Sequence, residues 1–179
     1  MEFTFTYILS QILTILMYIL LAITYQIKNR KYILALSIFS QVLQGGAYLL
    51  LNAYTALAMC IIAVIRDTIS IIDDNKNGKR DRINKKDIII FIILNVLIVI
   101  ATIITWDSWY SLLSAVATMI FTYSIWQKNV KIYKVLGIPV GLLWIIYNFI
   151  YKSIFGVILE TFLLIASIRG VVTMYRKMK

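Results

Sequence analysis

Histidine is absent from the 179-residue chain, and cysteine and proline occur once each. The commonest general base and metal ligand is therefore missing. Cys60 alone cannot close a disulfide within the chain, and one cysteine without histidine excludes the usual zinc and iron–sulfur sites. Charge is scarce too: 15% of residues are charged, eight of them acidic and 18 basic, for a net charge of +10. An ordinary soluble domain carries about 25%. General acid–base chemistry would rest on Glu160 or Asp107 alone. With no nucleophile–base pair, phosphate loop or cofactor motif in the chain, neither enzyme activity nor a bound cofactor is expected.

What the chain does have is apolar surface, in 61% of its residues. A soluble protein of this size cannot bury that much. The apolar residues fall in runs near the roughly 20 residues that carry a helix across a bilayer. Backbone polar groups find no water there, so each run is read as a helix. Seven spans are expected, near 5–26, 32–51, 54–72, 88–105, 109–127, 132–150 and 154–175. The first run has no basic flank, since Glu2 is the only early charge, and it reads as a membrane helix rather than a signal peptide.

The basic residues lie at alternate connections. Lys28, Arg30 and Lys31 follow the first span. Lys76, Lys79, Arg80, Arg82, Lys85 and Lys86 follow the third. Lys128, Lys131 and Lys134 follow the fifth, and Arg176, Lys177 and Lys179 the seventh. Basic loops stay in the cytoplasm, so the amino terminus is expected outside and the carboxyl terminus inside. The positive charge thus reports topology in a plasma (inner) membrane, with lipid rather than nucleic acid as its partner.

The expected fold is all-α, a polytopic membrane protein in a 3+1+3 arrangement. It comprises a three-helix bundle over 1–72, a basic linker over 73–87, a linker helix over 88–105 and a second bundle over 106–179. The triplets look related. Gln26-Ile27-Lys28-Asn29 closes the first span and Gln127-Lys128-Asn129 the fifth. Arg66 lies 37 positions after Asn29, and Arg169 lies 40 after Asn129. Internal symmetry of this kind is found in transporters, with the substrate between the repeats.

Within the spans, Glu160 stands out, because an intramembrane carboxylate is expensive and faces a bundle interior or wet cavity. It reads as a substrate or proton site, or as a hydrogen-bonded packing residue. Arg66 either takes a cavity role or anchors its helix, its head snorkelling to the interface or bonding Asp67 or backbone carbonyls. Trp144 and Asn148 share one face of the sixth helix, where they suit a ring-bearing solute or an interfacial belt. Gln11, Gln41, Gln44 and Asn95 are buried amides that serve as interhelical glue. Gly137 and Gly141 flank Pro139, as a packing groove or a hinge. Asp73 to Asn84 imitates the start of an EF-hand loop, but position 12 is Asn84 rather than a bidentate Glu, and a solvated linker is expected.

Two resemblances follow. Trp144, Asn148-Phe149, Ser153-Ile154-x-Gly156 and Glu160, with Ile65-Arg66-Asp67-Thr68-Ile69, resemble the YgjV-like bacterial inner-membrane proteins. That pattern implies His at 147, Gly at 152 and Asn at 63, where this chain has Tyr147, Lys152 and Ala63. More distantly, Tyr25-Gln26-Ile27-Lys28-Asn29 and Trp126-Gln127-Lys128-Asn129 resemble PQ-loop transporters of the SWEET type with the proline replaced. This resemblance implies a small-solute transporter working by alternating access. Glu160, Asn148, Trp144 and Arg66 are then the substrate contacts, and Gln26, Gln127 and Pro139 the gating or packing residues. The substrate class stays open among sugars, nucleosides, vitamins and amino acids. So does association with further copies of the chain. The alternative is a non-transporting subunit or regulator of another membrane protein.

Overall fold

The computed structural model describes residues 5–24, 30–77, 85–126 and 130–176. Gln26 and Gln127 fall outside these residues, as do Asn29 and Asn129. Seven helices make up the described chain: α1 (Phe5–Thr24), α2 (Arg30–Leu50), α3 (Tyr54–Asn77), α4 (Lys85–Ile104), α5 (Ser111–Trp126), α6 (Val130–Ile150) and α7 (Ile154–Arg176). No strand occurs among the described residues. Helix α3 runs past the apolar segment to Asn77, so the first residues of the EF-hand-like stretch are helical.

Two of the connections are tight turns of one kind. After α2, Asn52 adopts the left-handed conformation at φ 58°. Its N–H donates to the Leu49 carbonyl at 3.1 Å, and the Ala53 N–H donates to the Tyr48 carbonyl at 2.9 Å. After α6, Lys152 does the same at φ 56°. Its N–H reaches the Phe149 carbonyl at 3.1 Å, and the Ser153 N–H reaches the Asn148 carbonyl at 2.9 Å. Both are Schellman caps, which satisfy carbonyls left over at a helix end. Asn tolerates this conformation. Lysine does so at a cost of roughly 1–2 kcal/mol, which gives a physical sense to the glycine that the family resemblance implies at 152.

The helices close into a ring. Helix α2 packs between α1 and α3, and α6 between α5 and α7. Contacts of α3 with α5 and of α1 with α7 complete the circuit, while α4 leans on α3 and α5. The polarity of this ring is inverted relative to a water-soluble protein. Gln11, Thr14, Ser40, Gln44, Arg66 and Asp67 are buried, whereas Ile92, Val96, Ile100, Phe162 and Ile165 are exposed. Contiguous apolar surface on this scale belongs in lipid. Three segments are long and apolar enough to cross a membrane: Tyr54–Asp73, Lys85–Ile104 and Ile154–Val172. Phe5–Leu21, Leu34–Leu50, Ser111–Ser124 and Val135–Ile150 are shorter apolar segments of 10–17 residues.

Small residues set the closest approaches. A Cβ on Gly45 would stand 3.3 Å from Leu57, and one on Gly137 would stand 3.1 Å from the Ser167 hydroxyl. Gly137 and Gly141 both face α7, the latter against Leu164. The groove around Pro139 is thus a packing surface for α7. Gly156 is tighter, since a Cβ there would lie 2.6 Å from Ser153 Oγ and 2.9 Å from Asn148 Oδ1. Gly156→Ala is expected to destabilise the fold by about 1–3 kcal/mol through overpacking. Gly46→Ala, whose Cβ would meet Leu13 at 3.4 Å, is the tolerated control. Thermal unfolding of both variants in detergent checks the difference.

Candidate functional site

A cavity of about 180 Å³ lies inside the ring. Six helices line it: α1 (Met17, Leu21), α2 (Gln44, Tyr48), α3 (Cys60, Arg66), α5 (Thr118, Phe121), α6 (Val140, Trp144) and α7 (Glu160, Leu164). Helix α4 contributes nothing to it, since its buried Leu94, Ile98 and Thr102 face the outside of α3 and α5.

Two ionised groups in the site already match each other. Arg66 and Asp67 are each 1% exposed. Arg66 Nε donates to Asp67 Oδ1 at 2.8 Å, and Ser37 Oγ donates to Asp67 Oδ2 at 2.6 Å. The guanidinium also lies 5.2 Å from the centroid of the Phe121 ring, a cation–π contact between α3 and α5. Arg66 is therefore inside the ring rather than at an interface. Such a pair survives burial because its hydrogen bonds replace water.

Glu160 is different. The Tyr18 hydroxyl donates to its Oε1 at 2.8 Å, and no cation pairs with it among the described residues. Aromatic rings line the same cavity. Tyr48 stacks on Trp144 at 6.0 Å with an interplanar angle of 15°. Both meet Tyr147 edge-on.

Beyond these rings the cavity is shut at the end that bears the two Schellman turns. Tyr48, Ala53, Ala56, Cys60 and Tyr147 form one buried cluster, with Trp144 and Tyr151 packed against it. The Tyr48 hydroxyl donates to Asn148 Oδ1 at 3.0 Å, and the Ala56 N–H donates to the Tyr147 hydroxyl at 3.3 Å. One layer further out, the Tyr110 and Tyr151 hydroxyls both donate to Asp107 Oδ2 at 2.9 Å. The two seams of the ring are bonded at this end as well. Across α1 and α7, the Tyr7 hydroxyl donates to the Lys152 carbonyl at 3.1 Å, and the Phe155 N–H donates to Gln11 Oε1 at 3.2 Å. Across α3 and α5, the Thr55 hydroxyl lies 3.1 Å from Ser111 Oγ.

Comparison with known proteins places this geometry. Imp-YgjV, a family of bacterial inner membrane proteins, matches residues 8–178. The chain belongs to that family. No curated protein and no solved structure matches. Membership makes this a bacterial inner membrane protein, in keeping with the lipid-facing exterior. The match also bears out the family resemblance seen in the sequence and extends it over nearly the whole chain.

Of the residues expected from sequence, Glu160, Trp144 and Arg66 line the cavity of this family member. Asn148 lies one layer towards the turns, 1% exposed, and reaches the cavity through Tyr48. Its Nδ2 has no hydrogen-bond partner among the described residues. Pro139 sits inside α6 between the lining residues Gly137 and Val140. Arg169 is exposed, away from the site. Tyr18 and Tyr48 were not singled out by sequence. For Tyr18 the available signal is position, because a tyrosine at mid-span needs a buried hydrogen-bond partner, whereas Tyr48 sits near the end of α2, where an interfacial belt is the plain reading. Among the described residues no group of His, Cys, Asp or Glu is placed to hold a metal ion.

Removing one member of the buried pair tests its weight. Asp67→Asn leaves the Arg66 charge unmatched and is expected to cost about 3–5 kcal/mol. The double change Arg66→Met with Asp67→Leu should cost markedly less. Unfolding in detergent of the single and double variants checks the order.

Proposed function

We propose that this protein is a small-solute transporter of the PQ-loop or SWEET-like type, with a central cavity and alternating access. The supporting observation is the cavity itself, bounded by α1–α3 on one side and α5–α7 on the other, with a lone carboxylate in its wall. On this reading the chain crosses the membrane seven times in a 3+1+3 arrangement, amino terminus outside. The ring contacts suit a twofold relation between the triplets, since α3 meeting α5 corresponds to α7 meeting α1.

Local geometry supports the same pairing. The Schellman turns at Asn52 and Lys152 lie one hundred positions apart and share one hydrogen-bond pattern. In α1, Ser10 Oγ donates to the Tyr7 carbonyl and Thr14 Oγ1 to the Ser10 carbonyl. In α5, Ser114 Oγ donates to the Ser111 carbonyl and Thr118 Oγ1 to the Ser114 carbonyl. Parallel repeats joined by an odd helix give this kind of correspondence, and rocking of one repeat against the other alternates access. The turns then face outward, and the aromatic layer above the cavity is a closed external gate.

Glu160 is the coupling group in this reading, taking up a proton or releasing it as the cavity changes sides. Wild-type flux into proteoliposomes should therefore change with pH as the carboxylate titrates. Glu160→Gln, which stays neutral throughout, should flatten that profile. A variant that transports with the wild-type pH dependence would remove Glu160 from coupling. Absence of flux for sugars, nucleosides, vitamins and amino acids alike, together with a stoichiometric partner retained in mild detergent, would favour the non-transporting subunit.

A further inference from the structure

We propose that the cavity binds a small primary ammonium compound, its nitrogen held by Glu160 and Gln44 beside the rings of Tyr48 and Trp144. The proposal takes the cavity as the binding site of the transporter reading and names the class of solute that fits it. Charge is the first argument. Arg66 is matched by Asp67 at 2.8 Å, so the pair contributes no net charge. Glu160 receives only the Tyr18 phenol and has no cation beside it among the described residues. With its carboxylate ionised, the site carries one negative charge in excess.

The second argument is hydrogen bonding. Gln44 is 6% exposed and lines the cavity, yet its Oε1 has no hydrogen-bond partner among the described residues. A buried acceptor left unmade is costly. A carboxylate and an amide oxygen both call for donors, and a primary ammonium brings three N–H groups and one positive charge. Aromatic faces within about 6 Å add cation–π attraction in a desolvated site.

Size is the third argument. An apolar cavity of about 150 Å³ holds benzene, and this one measures about 180 Å³. A ligand head about the size of a single ring fits this volume.

Protons and the amine compete for Glu160. Tyr18 on α1 bonds the carboxylate directly, and the same cavity is lined by Tyr48 and Gln44 on α2 and by Cys60 and the Asp67-paired Arg66 on α3. Helices α5 and α6 present Thr118, Phe121 and Trp144, none of which titrates. Acidification neutralises the carboxylate and should release the amine.

The test is thermal unfolding of the purified protein in detergent, at fixed pH, with n-butylamine and ethanolamine beside their uncharged counterparts n-butanol and ethylene glycol. The amines are expected to raise the unfolding midpoint and the alcohols to leave it in place. In Glu160→Gln the amine dissociation constant should rise about tenfold or more, the loss of a charge-assisted hydrogen bond. If that variant does not fold, the wild type titrated towards acid should lose the amine shift. Equal stabilisation by butanol and butylamine, an amine effect unchanged in Glu160→Gln, or no amine effect at any pH would each overturn the proposal. Vesicle flux separates it from the transporter reading. Flux of a neutral sugar without amine binding overturns the ligand class and leaves transport standing. Amine binding without flux supports the ligand class and overturns transport.

Discussion

Glu160 accepts one phenolic hydrogen bond, from Tyr18 on α1, the helix at the opposite end of the chain from α7. Much of the arrangement depends on keeping that carboxylate out of lipid. A charge in hydrocarbon costs several kcal/mol unless it pairs or faces water. The ring meets this condition by turning apolar residues outward and gathering hydroxyls, amides and the Arg66–Asp67 pair inside. The cavity beside Glu160 follows from the same constraint, because six helices bearing polar inner faces cannot close down as an apolar core does. Helix α4, which has no ionisable residue between Asp87 and Ile104, takes no part in it.

The two seams are chemically unlike. The α1–α7 seam is held by long side chains reaching across, from Tyr7, Gln11 and Tyr18. The α3–α5 seam combines short hydroxyls, Thr55 against Ser111, with the Arg66 guanidinium over the Phe121 ring. Within each group of three, glycines and apolar side chains pack more closely. A bundle built in this way has rigid parts and hydrogen-bonded joints. Interhelical hydrogen bonds in membranes average only about 0.6 kcal/mol, so joints of this kind can open without unfolding either half.

The helices were legible in the sequence because apolar runs report their own length, and the expected ends agree with the described helices to within a few residues. The exception is α3, whose polar continuation to Asn77 carries no hydropathy signal. Glu160 and Arg66 were legible because intramembrane charge is rare. Their surroundings were not. Tyr18 is distant in sequence from Glu160, and only the closure of the ring brings them together. Asn148 shares a helix face with Trp144 as expected, yet the rotation of α6 puts the indole against the cavity and the amide against Tyr48. Spacing along one helix fixes which residues share a face, and packing against the neighbours decides how deep each one lies.

On the proposed transporter reading, the two halves of the ring move against each other around the cavity, so that the α3–α5 seam opens during each cycle. Thr55 and Ser111 touch across that seam through their hydroxyls. The direct measurement replaces both with cysteine in a Cys60→Ala background and follows vesicle flux before oxidation, after it and after reduction. Flux that stops when the disulfide forms and returns on reduction is the predicted result. Flux that continues with the seam fully cross-linked would contradict the account.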